Sequence, residues 1–418
     1  MQVCCKSAIS MFEDNEGFRY PSINEQLCVN CQECRKMCLF NNMPEKYSEP
    51  QTAFGGYHIN ADIRFESTSG GAFSAIVDAF CDDNYVIFGA RAKGLFVFHD
   101  YITDKSKLSL FRKSKYSQSV IGNAYAHTKR FLAEGKKVLF SGTPCQIAGL
   151  KTFLKGVNEE NLLTIEVVCE GVPSPNYMRK YEKALERKYG AKIESIDYRY
   201  TGKSFFNHGK WDFEAEHTVI SDETPQTLTV TENRGGGKWD FQVMRITLAE
   251  MKKIIVKDRW FNPFWSIWLK HLMSRPSCYE CPFATKERVA DITVGDLWGV
   301  HIYCPELYGK NGGASLVICN SEKGRKVFEK AKENMFGHEL DFDTAIKYQS
   351  PMRKTIDVNI NREEFMRDLA GEMSYTELNK KWAQKPTVKL LFQKYIWGNR
   401  QKIWLWNLLH RKIVRKSW

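Results

Sequence analysis

The chain has 418 residues, of which 43% are hydrophobic and 26% charged, and its net charge is +12. This composition excludes a fibrous or disordered protein, and the length allows two or three domains. The 13 cysteines, an odd number in a chain without a signal sequence, favour metal or redox chemistry over disulfides and predict a cytoplasmic protein. No apolar stretch reaches the about 20 residues that a transmembrane helix needs.

The most specific motif lies near the N-terminus, within residues 1–48. Its cysteines have the spacing C-x2-C-x2-C-x3-C and are Cys28, Cys31, Cys34 and Cys38. Bacterial ferredoxins use this spacing to hold [4Fe–4S] clusters through thiolates. Structural zinc is the alternative, but zinc sites favour two separated CxxC pairs. The motif therefore predicts a ferredoxin-like iron–sulfur domain.

Cys4 looks like the last cysteine of a preceding ferredoxin run, whose other cysteines would fall before residue 1. In two-cluster ferredoxins, the last cysteine of one run ligates the cluster of the other run. We therefore expect Cys4 to join Cys28, Cys31 and Cys34, which leaves Cys38 without partners. The alternative is one cluster held by Cys38 and the other three cysteines of its own run. We also expect either a lost cluster or a start that lies upstream of Met1.

From residue 52 to about 320, short apolar runs alternate with helical patterns. The predicted elements are a strand at 138–140, a helix at 146–154, a strand at 162–168, a helix from Pro175 to Gly190, and strands at 291–294 and 315–319. Ser174 is a good N-cap for the second helix, and glycine commonly ends helices. Strand–helix–strand units of this length predict a mixed α/β fold with a parallel sheet.

A second group of cysteines falls in this α/β region. Cys145 and Cys169 each follow a predicted parallel strand, at the edge where open α/β sheets bind ligands. Cys278 and Cys281 form a CxxC pair, a common spacing of metal ligands. Four cysteines from three loops could close a second cluster site, whereas each cysteine alone is more often a small buried hydrophobe.

Two further motifs are less specific. Ser69, Gly70 and Gly71 precede a helical run at 72–80, where backbone N–H groups could approach a phosphate, or where the residues simply cap the helix. Asp296 follows a strand beside Gly295 and Trp298, and either a stacked flavin or nicotinamide ring or an ordinary turn explains it. Walker, G-x-G-x-x-G and G-x-S-x-G motifs are absent, so a Rossmann nicotinamide site is unsupported.

Residues 321–384 have helical patterns, and the chain ends in a basic, aromatic tail. From Lys385 to Trp418 there are nine basic residues, no acidic residue and four tryptophans. Such a tail either packs its apolar face on the body or docks on an anionic membrane surface or an acidic partner. A basic tail could also bind nucleic acid, but this is the weakest interpretation, and we expect no nucleic-acid partner.

In their order, several segments resemble the coenzyme F420 hydrogenase/dehydrogenase beta-subunit family. They are CVNCQECRKMC, TSGGAFSAI, KVLFSGTPCQIAGLKTFL, VVCEGVPSP, RPSCYECPF and RVADITVGDLWG. The resemblance implies a cytoplasmic protein with one or two [4Fe–4S] clusters and FAD. It places Ser69, Gly70 and Gly71 at the flavin diphosphate and Thr143 and Gln146 near the cofactor. It also implies that Cys145, Cys169, Cys278 and Cys281 hold the cluster closest to the flavin.

The expected function is therefore an oxidoreductase that passes electrons between clusters and FAD. Residues 52–320 would form the catalytic region, and a ferredoxin or another redox partner would exchange electrons with the chain. The substrate would be a small organic molecule or a deazaflavin-type coenzyme, and some relatives belong to polysaccharide biosynthesis. Two alternatives stay open: a non-catalytic electron-transfer subunit, and an interaction protein with structural zinc.

Overall fold

The computed structural model describes residues 2–48, 52–200, 214–218, 243–249, 253–258, 262–307 and 313–385, with isolated positions at 387–389, 392, 405 and 408. The docking role predicted for residues 385–418 thus concerns a segment that lies almost wholly outside the described residues. Among the helices described, none is long and apolar enough to cross a membrane.

The described part of the chain has fourteen strands. In chain order they are β1 (Ile9–Glu13), β2 (Arg19–Ile23), β3 (Thr52–His58), β4 (Tyr85–Lys93), β5 (Phe96–Ile102), β6 (Lys137–Gly142), β7 (Leu162–Val167), β8 (Ile193–Tyr200), β9 (Glu214–Thr218), β10 (Val243–Leu248), β11 (Lys253–Asp258), β12 (Ile292–Asp296), β13 (Ser315–Cys319) and β14 (Met335–Leu340).

The same residues contain thirteen α-helices. They are α1 (Glu33–Lys36), α2 (Ala61–Phe65), α3 (Ala72–Phe80), α4 (Ala124–Ala133), α5 (Pro144–Phe153), α6 (Pro175–Tyr189), α7 (Pro263–Trp268), α8 (Pro276–Tyr279), α9 (Val300–Tyr303), α10 (Glu322–Ala331), α11 (Phe342–Ile346), α12 (Arg362–Ala370) and α13 (Tyr375–Trp382).

The main sheet has eight strands in the order β14-β3-β13-β12-β7-β6-β4-β5. Strands β4, β6, β7 and β12 are parallel to one another, whereas β3, β5, β13 and β14 pair antiparallel with their neighbours. The α/β class is therefore confirmed, but the sheet is mixed and only its centre is parallel. Strand β14 also shows that residues 321–384, which the sequence predicts to be helical, contain a strand of this sheet.

Helices cover both faces of the main sheet and bury its apolar side chains. On one face, Ile76 of α3 and Phe328 of α10 are fully buried against Ile87 and Leu139 of the sheet. On the other face, α4 and α5 contribute a core that includes Ile147. This three-layer arrangement explains the continuous apolar runs of the central strands, since parallel strands are buried on both sides.

Local signals set the ends of the helices that lead into the site. Helix α5 begins earlier than predicted, because Pro144 takes its first position and the backbone N–H of Thr143 donates to the Gln146 side chain (3.0 Å). Helix α6 begins and ends as predicted. The Ser174 hydroxyl accepts from its first turn, and Gly190 ends it with a φ of 68°.

A second, antiparallel sheet has the order β8-β10-β11-β9. Together with α6, α7 and α12 it encloses an aromatic core that includes Tyr177, Phe264 and Trp268. The sequence between Gly190 and Asp291 carries no predicted strand or helix, so this sheet is not predicted from the sequence.

The N-terminal unit, residues 2–48, contains the β1–β2 hairpin and the loop around α1. Its hairpin turn is tied to the body by an ion pair between Glu16 and Arg362 and by the Ser174 hydroxyl, which donates to the Glu16 carbonyl (2.6 Å). At its other end, Tyr47 and Arg288 exchange two backbone hydrogen bonds (2.7 and 3.1 Å). The unit therefore packs directly against the α/β body.

Candidate functional site

The carboxyl ends of the central parallel strands meet at one edge of the main sheet. Cys145 follows β6 by three residues, Cys169 follows β7 by two, and Asp296 is the last residue of β12. Ser315, the first residue of β13, lies opposite Asp296 in the antiparallel register, so β13 begins at the same edge. The edge at which open α/β sheets bind ligands thus gathers these four side chains.

The four predicted cysteines of the α/β region are neighbours at this edge. Burial raises the pKa of Cys169, and the nearby thiolates of Cys145, Cys278 and Cys281 raise it further. Burial likewise raises the pKa of Cys278, to about 11. Because adjacent thiolates repel one another, such a set requires a positively charged group to hold all four ionised. Iron–sulfur clusters are groups of this kind, so the donor set fits one.

The loop after Cys169 packs closely against the CxxC segment. Gly171 has a φ of 100°, and a Cβ at this position would stand 3.2 Å from the Cβ of Cys278. Its backbone N–H points to the sulfur of Cys169 (3.4 Å). Glycine at this position therefore allows the loop after β7 to approach the CxxC segment closely. Its N–H donates to the Cys169 sulfur within the same loop.

A buried ion pair anchors the segment that follows Cys281. Arg288 pairs with Glu166 of β7, and both side chains are essentially inaccessible to solvent. The same guanidinium donates to the carbonyls of Phe283 (3.0 Å) and Thr285 (2.9 Å). The CxxC loop is thereby fixed to the strand that leads into Cys169.

The N-terminal cysteines surround a second location, at the protein surface. A cavity of about 250 Å³ is lined by five cysteines, Cys4, Cys5, Cys28, Cys31 and Cys34, among other residues, while Cys38 is not among them. The backbone N–H of Ala8 donates to the Cys4 sulfur (3.3 Å), and this bond contributes most to lowering the pKa of Cys4. Four of the lining cysteines are those expected from crossed ligation and Cys5 is not, so the ligand set stays a prediction.

The N-terminal loop is wound tightly around this cavity. Asn30 and Gln32 both have positive φ angles, 54° and 62°, which turn the chain sharply between the cysteines. Cys28 and Cys31 are exposed. Within the described ranges, no three His, Cys, Asp or Glu side chains are placed to hold a single metal ion. A cubane cluster is larger than one ion and needs its thiolates further apart, and the roles of all nine cysteines as ligands stay predictions.

The predicted flavin loop lies at the same sheet edge as the four cysteines of the α/β region. The Ser69 hydroxyl donates to Asp296, and the Ser315 hydroxyl donates to the Ser69 carbonyl. Gly70 has a φ of 65°, and a Cβ there would approach the backbone nitrogen of Ser315 to 2.6 Å. Gly71, also at positive φ, caps α3, which begins at Ala72 as predicted. Close packing thus accounts for both glycines, and their contact with a flavin stays a prediction.

Thr143 and Gln146 have clear structural partners. The Thr143 hydroxyl lies 3.2 Å from the Cys145 sulfur. The Gln146 oxygen accepts from the Thr143 N–H, and its nitrogen donates to the Ser119 hydroxyl (2.8 Å). Gln146 therefore uses both ends of its side chain within the protein, and its predicted place near the cofactor is untested.

An ion pair that the sequence analysis did not predict joins the site to the second sheet. Arg199 of β8 pairs with Asp296, and each side chain is less than a tenth exposed. Burial raises the pKa of Tyr116, which also lies beside this pair. The position of Asp296 at a strand end was visible in the sequence, but no local signal marks Arg199 as its partner.

The α/β sheet thus gathers four thiols at the edge where such sheets bind ligands, as a metal- or cluster-binding protein of this class would require. In agreement, residues 135–343, half of the chain, match the family model for the C-terminal part of the coenzyme F420 hydrogenase/dehydrogenase beta subunit. The chain belongs to this family, as its motifs predict, and is thereby related to oxidoreductases that transfer electrons.

Other comparisons add little to this assignment. A chain of the F420-reducing [NiFe] hydrogenase complex from Methanosarcina barkeri, solved as a xenon derivative, is 14% identical, with a TM-score of 0.42. The match covers 79% of this chain and 91% of that one. A similarity this low supports no argument about fold or function. No curated protein matches the chain.

Proposed function

We propose that the chain is an iron–sulfur flavoprotein oxidoreductase. It would pass electrons between [4Fe–4S] clusters and FAD, and so reduce or oxidise a small organic substrate or a deazaflavin-type coenzyme. The observation that carries this proposal is the convergence of Cys145, Cys169, Cys278 and Cys281 at the sheet edge that also holds the Ser69–Gly71 loop. Family membership supports redox chemistry of this general type.

The two cofactors would supply complementary chemistry, since a flavin exchanges two electrons with a substrate and a cluster exchanges one. The chain's own contribution is placement and shielding. The loops after β6 and β7 would hold cluster ligands, while the loop between α2 and α3 would hold the flavin at the same edge. The Arg199–Asp296 pair keeps fixed charges beside that loop, where they would orient a polar cofactor or substrate.

The N-terminal unit would be the point at which electrons enter or leave. Cys4, Cys28, Cys31 and Cys34 would hold a cluster in the surface cavity, and the exposure of Cys28 and Cys31 leaves that cluster accessible to an external carrier. A ferredoxin, itself a small one-electron carrier, is the partner that suits this position best.

Anaerobic reconstitution of the full chain tests the proposal. We expect acid-labile sulfide, up to about eight irons per chain for two [4Fe–4S] clusters, and bound flavin. Zinc in place of iron, or iron without any flavin, would overturn it. Zinc would return the cysteines to a structural role, and the absence of flavin would leave the chain without a two-electron centre.

The surface exposure of Cys28 and Cys31 also favours the second candidate, a non-catalytic subunit that relays electrons to a partner enzyme. Turnover separates the two functions. With an artificial one-electron donor and a candidate acceptor such as a deazaflavin, the isolated flavoenzyme should turn over. A relay would carry the same clusters but show no turnover until its partner is added.

A further inference from the structure

A cavity of about 220 Å³ lies beside the loop that follows β7, and neither a cysteine nor a predicted flavin contact lines it. At roughly 30 Å³ for each water, it has room for about seven water molecules. Sites for drug-sized ligands are larger, roughly 300–1,000 Å³, so a ligand of this cavity would be small. The polar and charged residues of its lining are Glu170, His271, Ser350, Lys354, Thr355 and Asp357.

The walls of the cavity are fixed to the body of the protein. One wall is the segment 350–357, and the side chain of Gln349, just before it, donates to the carbonyl of the last residue of β12 (2.6 Å). The opposite wall carries His271. The side chain of Asn359 donates to the carbonyl of Lys270 (3.0 Å) and so joins the two walls. The cavity is therefore preformed.

His271 is held in an unusual conformation at this cavity. Its φ is 56°, a value that few residues other than glycine adopt and that is common at functional sites. The hydroxyl of Tyr279 donates to its carbonyl. Its ring atom Nδ1 is buried and has no hydrogen-bond partner among the described residues. A buried polar atom in this state marks a place where a ligand group or a water belongs.

Charge is confined to the rim of the cavity. Glu170, Lys354 and Asp357 are exposed, whereas His271 and Thr355 are partly buried. The ammonium of Lys354 already pairs with the carboxylate of Asp357 (3.0 Å). Burial lowers the pKa of His271, which keeps its imidazole neutral near neutral pH. The inner part of the cavity thus offers uncharged hydrogen-bonding groups.

We propose that this cavity binds a small uncharged molecule with several hydroxyl groups, either a polyol or a single sugar. A hydroxyl group donates and accepts, so it suits Nδ1 of His271 in either tautomer and the hydroxyl of Thr355. Pro351 and Ile356 complete the lining with apolar surface for the C–H groups of such a ligand. An anion would instead approach two carboxylates and a lysine that is already paired. The inference goes beyond the proposed function and does not rest on it, since no predicted cofactor ligand lines the cavity.

Saturation-transfer NMR of the purified full-length chain tests the binding. The uncharged probes are myo-inositol and glucose, and the charged probes are glucuronate and inorganic phosphate. We expect the uncharged probes to bind with a dissociation constant on the order of 1 mM, as suits a small ligand that makes a few hydrogen bonds. The charged probes should bind more weakly.

Three variants locate the binding at the cavity. Thr355→Val removes a hydroxyl at nearly constant shape, and His271→Gly removes the imidazole with a residue that tolerates a positive φ. Each should weaken binding roughly three- to tenfold, the loss expected for one hydrogen bond. His271→Asn also tolerates a positive φ and keeps a polar group close to the backbone, so it should retain most of the affinity. Thr103→Val, at an exposed threonine that follows β5 at the opposite edge of the sheet, is the matched control and should bind as the parent chain does.

Circular dichroism shows which variants are folded, and Thr355→Val carries the test if His271→Gly does not fold. The proposal is wrong if neither uncharged probe binds, if the charged probes bind more tightly, or if Thr355→Val binds as well as Thr103→Val. The affinity should be the same before and after reconstitution with iron, sulfide and flavin. A chain that binds the uncharged probes but takes up neither iron nor flavin would overturn the proposed function and leave this inference standing.

Discussion

The two cysteine sets of this chain differ in the origin of their thiols. The N-terminal set, which we call the surface set, lies within about 30 consecutive residues, around a surface cavity. The second set, which we call the body set, comes from three loops of the α/β body, where Cys145 is exposed and Cys169, Cys278 and Cys281 are partly buried. The surface set is built by a local loop, whereas the body set exists only when the sheet has formed. Changes in the body should therefore affect the body set far more than the surface set.

The largest effect is expected from removing one thiol in each set. Cys278→Ser and Cys31→Ser should each remove up to about four irons per chain, the content of one [4Fe–4S] cluster. Only Cys278→Ser should also reduce the flavin content, since the predicted flavin loop lies at the same sheet edge. Iron, sulfide and flavin assays of the reconstituted proteins check this. Cys81→Ala, at a buried thiol outside both sets, is the control, and unchanged iron in Cys31→Ser would refute its assignment as a ligand.

The next effect concerns the buried ion pair beneath the CxxC loop. Arg288→Met leaves Glu166 buried without its cation and should cost about 3–5 kcal/mol of unfolding free energy. Denaturant unfolding of the iron-free protein measures it. Lys286→Met, which breaks only an exposed pair with Asp343, should cost less than about 1 kcal/mol.

The same Arg288 variant sharpens the comparison of the two sets. When reconstituted under mild conditions, it should lose iron from the body set while the surface set still binds iron. Equal losses from both sets would show that the N-terminal loop depends on the body as much as the CxxC loop does.

Thiol reactivity should differ between the sets when iron is absent. A thiol with a raised pKa is less ionised at a given pH, so Cys278, at about 11, should have roughly 100-fold less thiolate near neutral pH than an ordinary cysteine. The pKa of Cys4 is shifted in the opposite direction, downward. The alkylation rate of Cys4 should therefore reach its plateau at a lower pH than that of an ordinary cysteine. Mass spectrometry of alkylated peptides across the pH range measures both. The denatured chain is the control, in which the two profiles should coincide, and coincident profiles in the folded chain would contradict the difference in environment.

The smallest expected effect distinguishes the members of the surface set. Cys38→Ser should leave the iron content unchanged, whereas Cys4→Ser should lower it, because Cys4 and not Cys38 lines the cavity. Iron analysis of the two purified variants is sufficient. Loss of iron in Cys38→Ser alone would support the alternative in which one run supplies all four ligands.

The elements that can be predicted from the sequence are those whose determining signal is local. The cap at Ser174, the proline that follows it and the glycine at 190 define α6 within a few residues, and the cysteine spacing marks the N-terminal loop. The carboxyl ends of β6 and β7 were also placed correctly, which is enough to bring Cys145 and Cys169 to one edge.

The remaining features depend on pairing between distant segments. No local pattern shows that β13 runs antiparallel to β12. Nor does one show that the side chain of Arg199, in the second sheet, pairs with Asp296 of the main sheet. In the second sheet, β8 and β9 pair with strands that follow more than thirty residues later, although β10 and β11 are joined by only four residues and were missed as well. Arg275 sits inside a recognised motif, yet its contacts with Arg19 and Tyr20 appear only in three dimensions.

The order in which the two cysteine sets become complete has a consequence for biogenesis. A ribosome adds about 5–20 residues per second, so Cys34 emerges long before Cys281. On the proposed function, the N-terminal loop would acquire iron while the rest is still being made. The body set would have to wait until β12 has joined β7, a pairing of residues more than a hundred positions apart, which is slow to form. Cells short of iron would then accumulate chains that carry the first cluster and lack the second, and such chains would accept electrons without being able to pass them on.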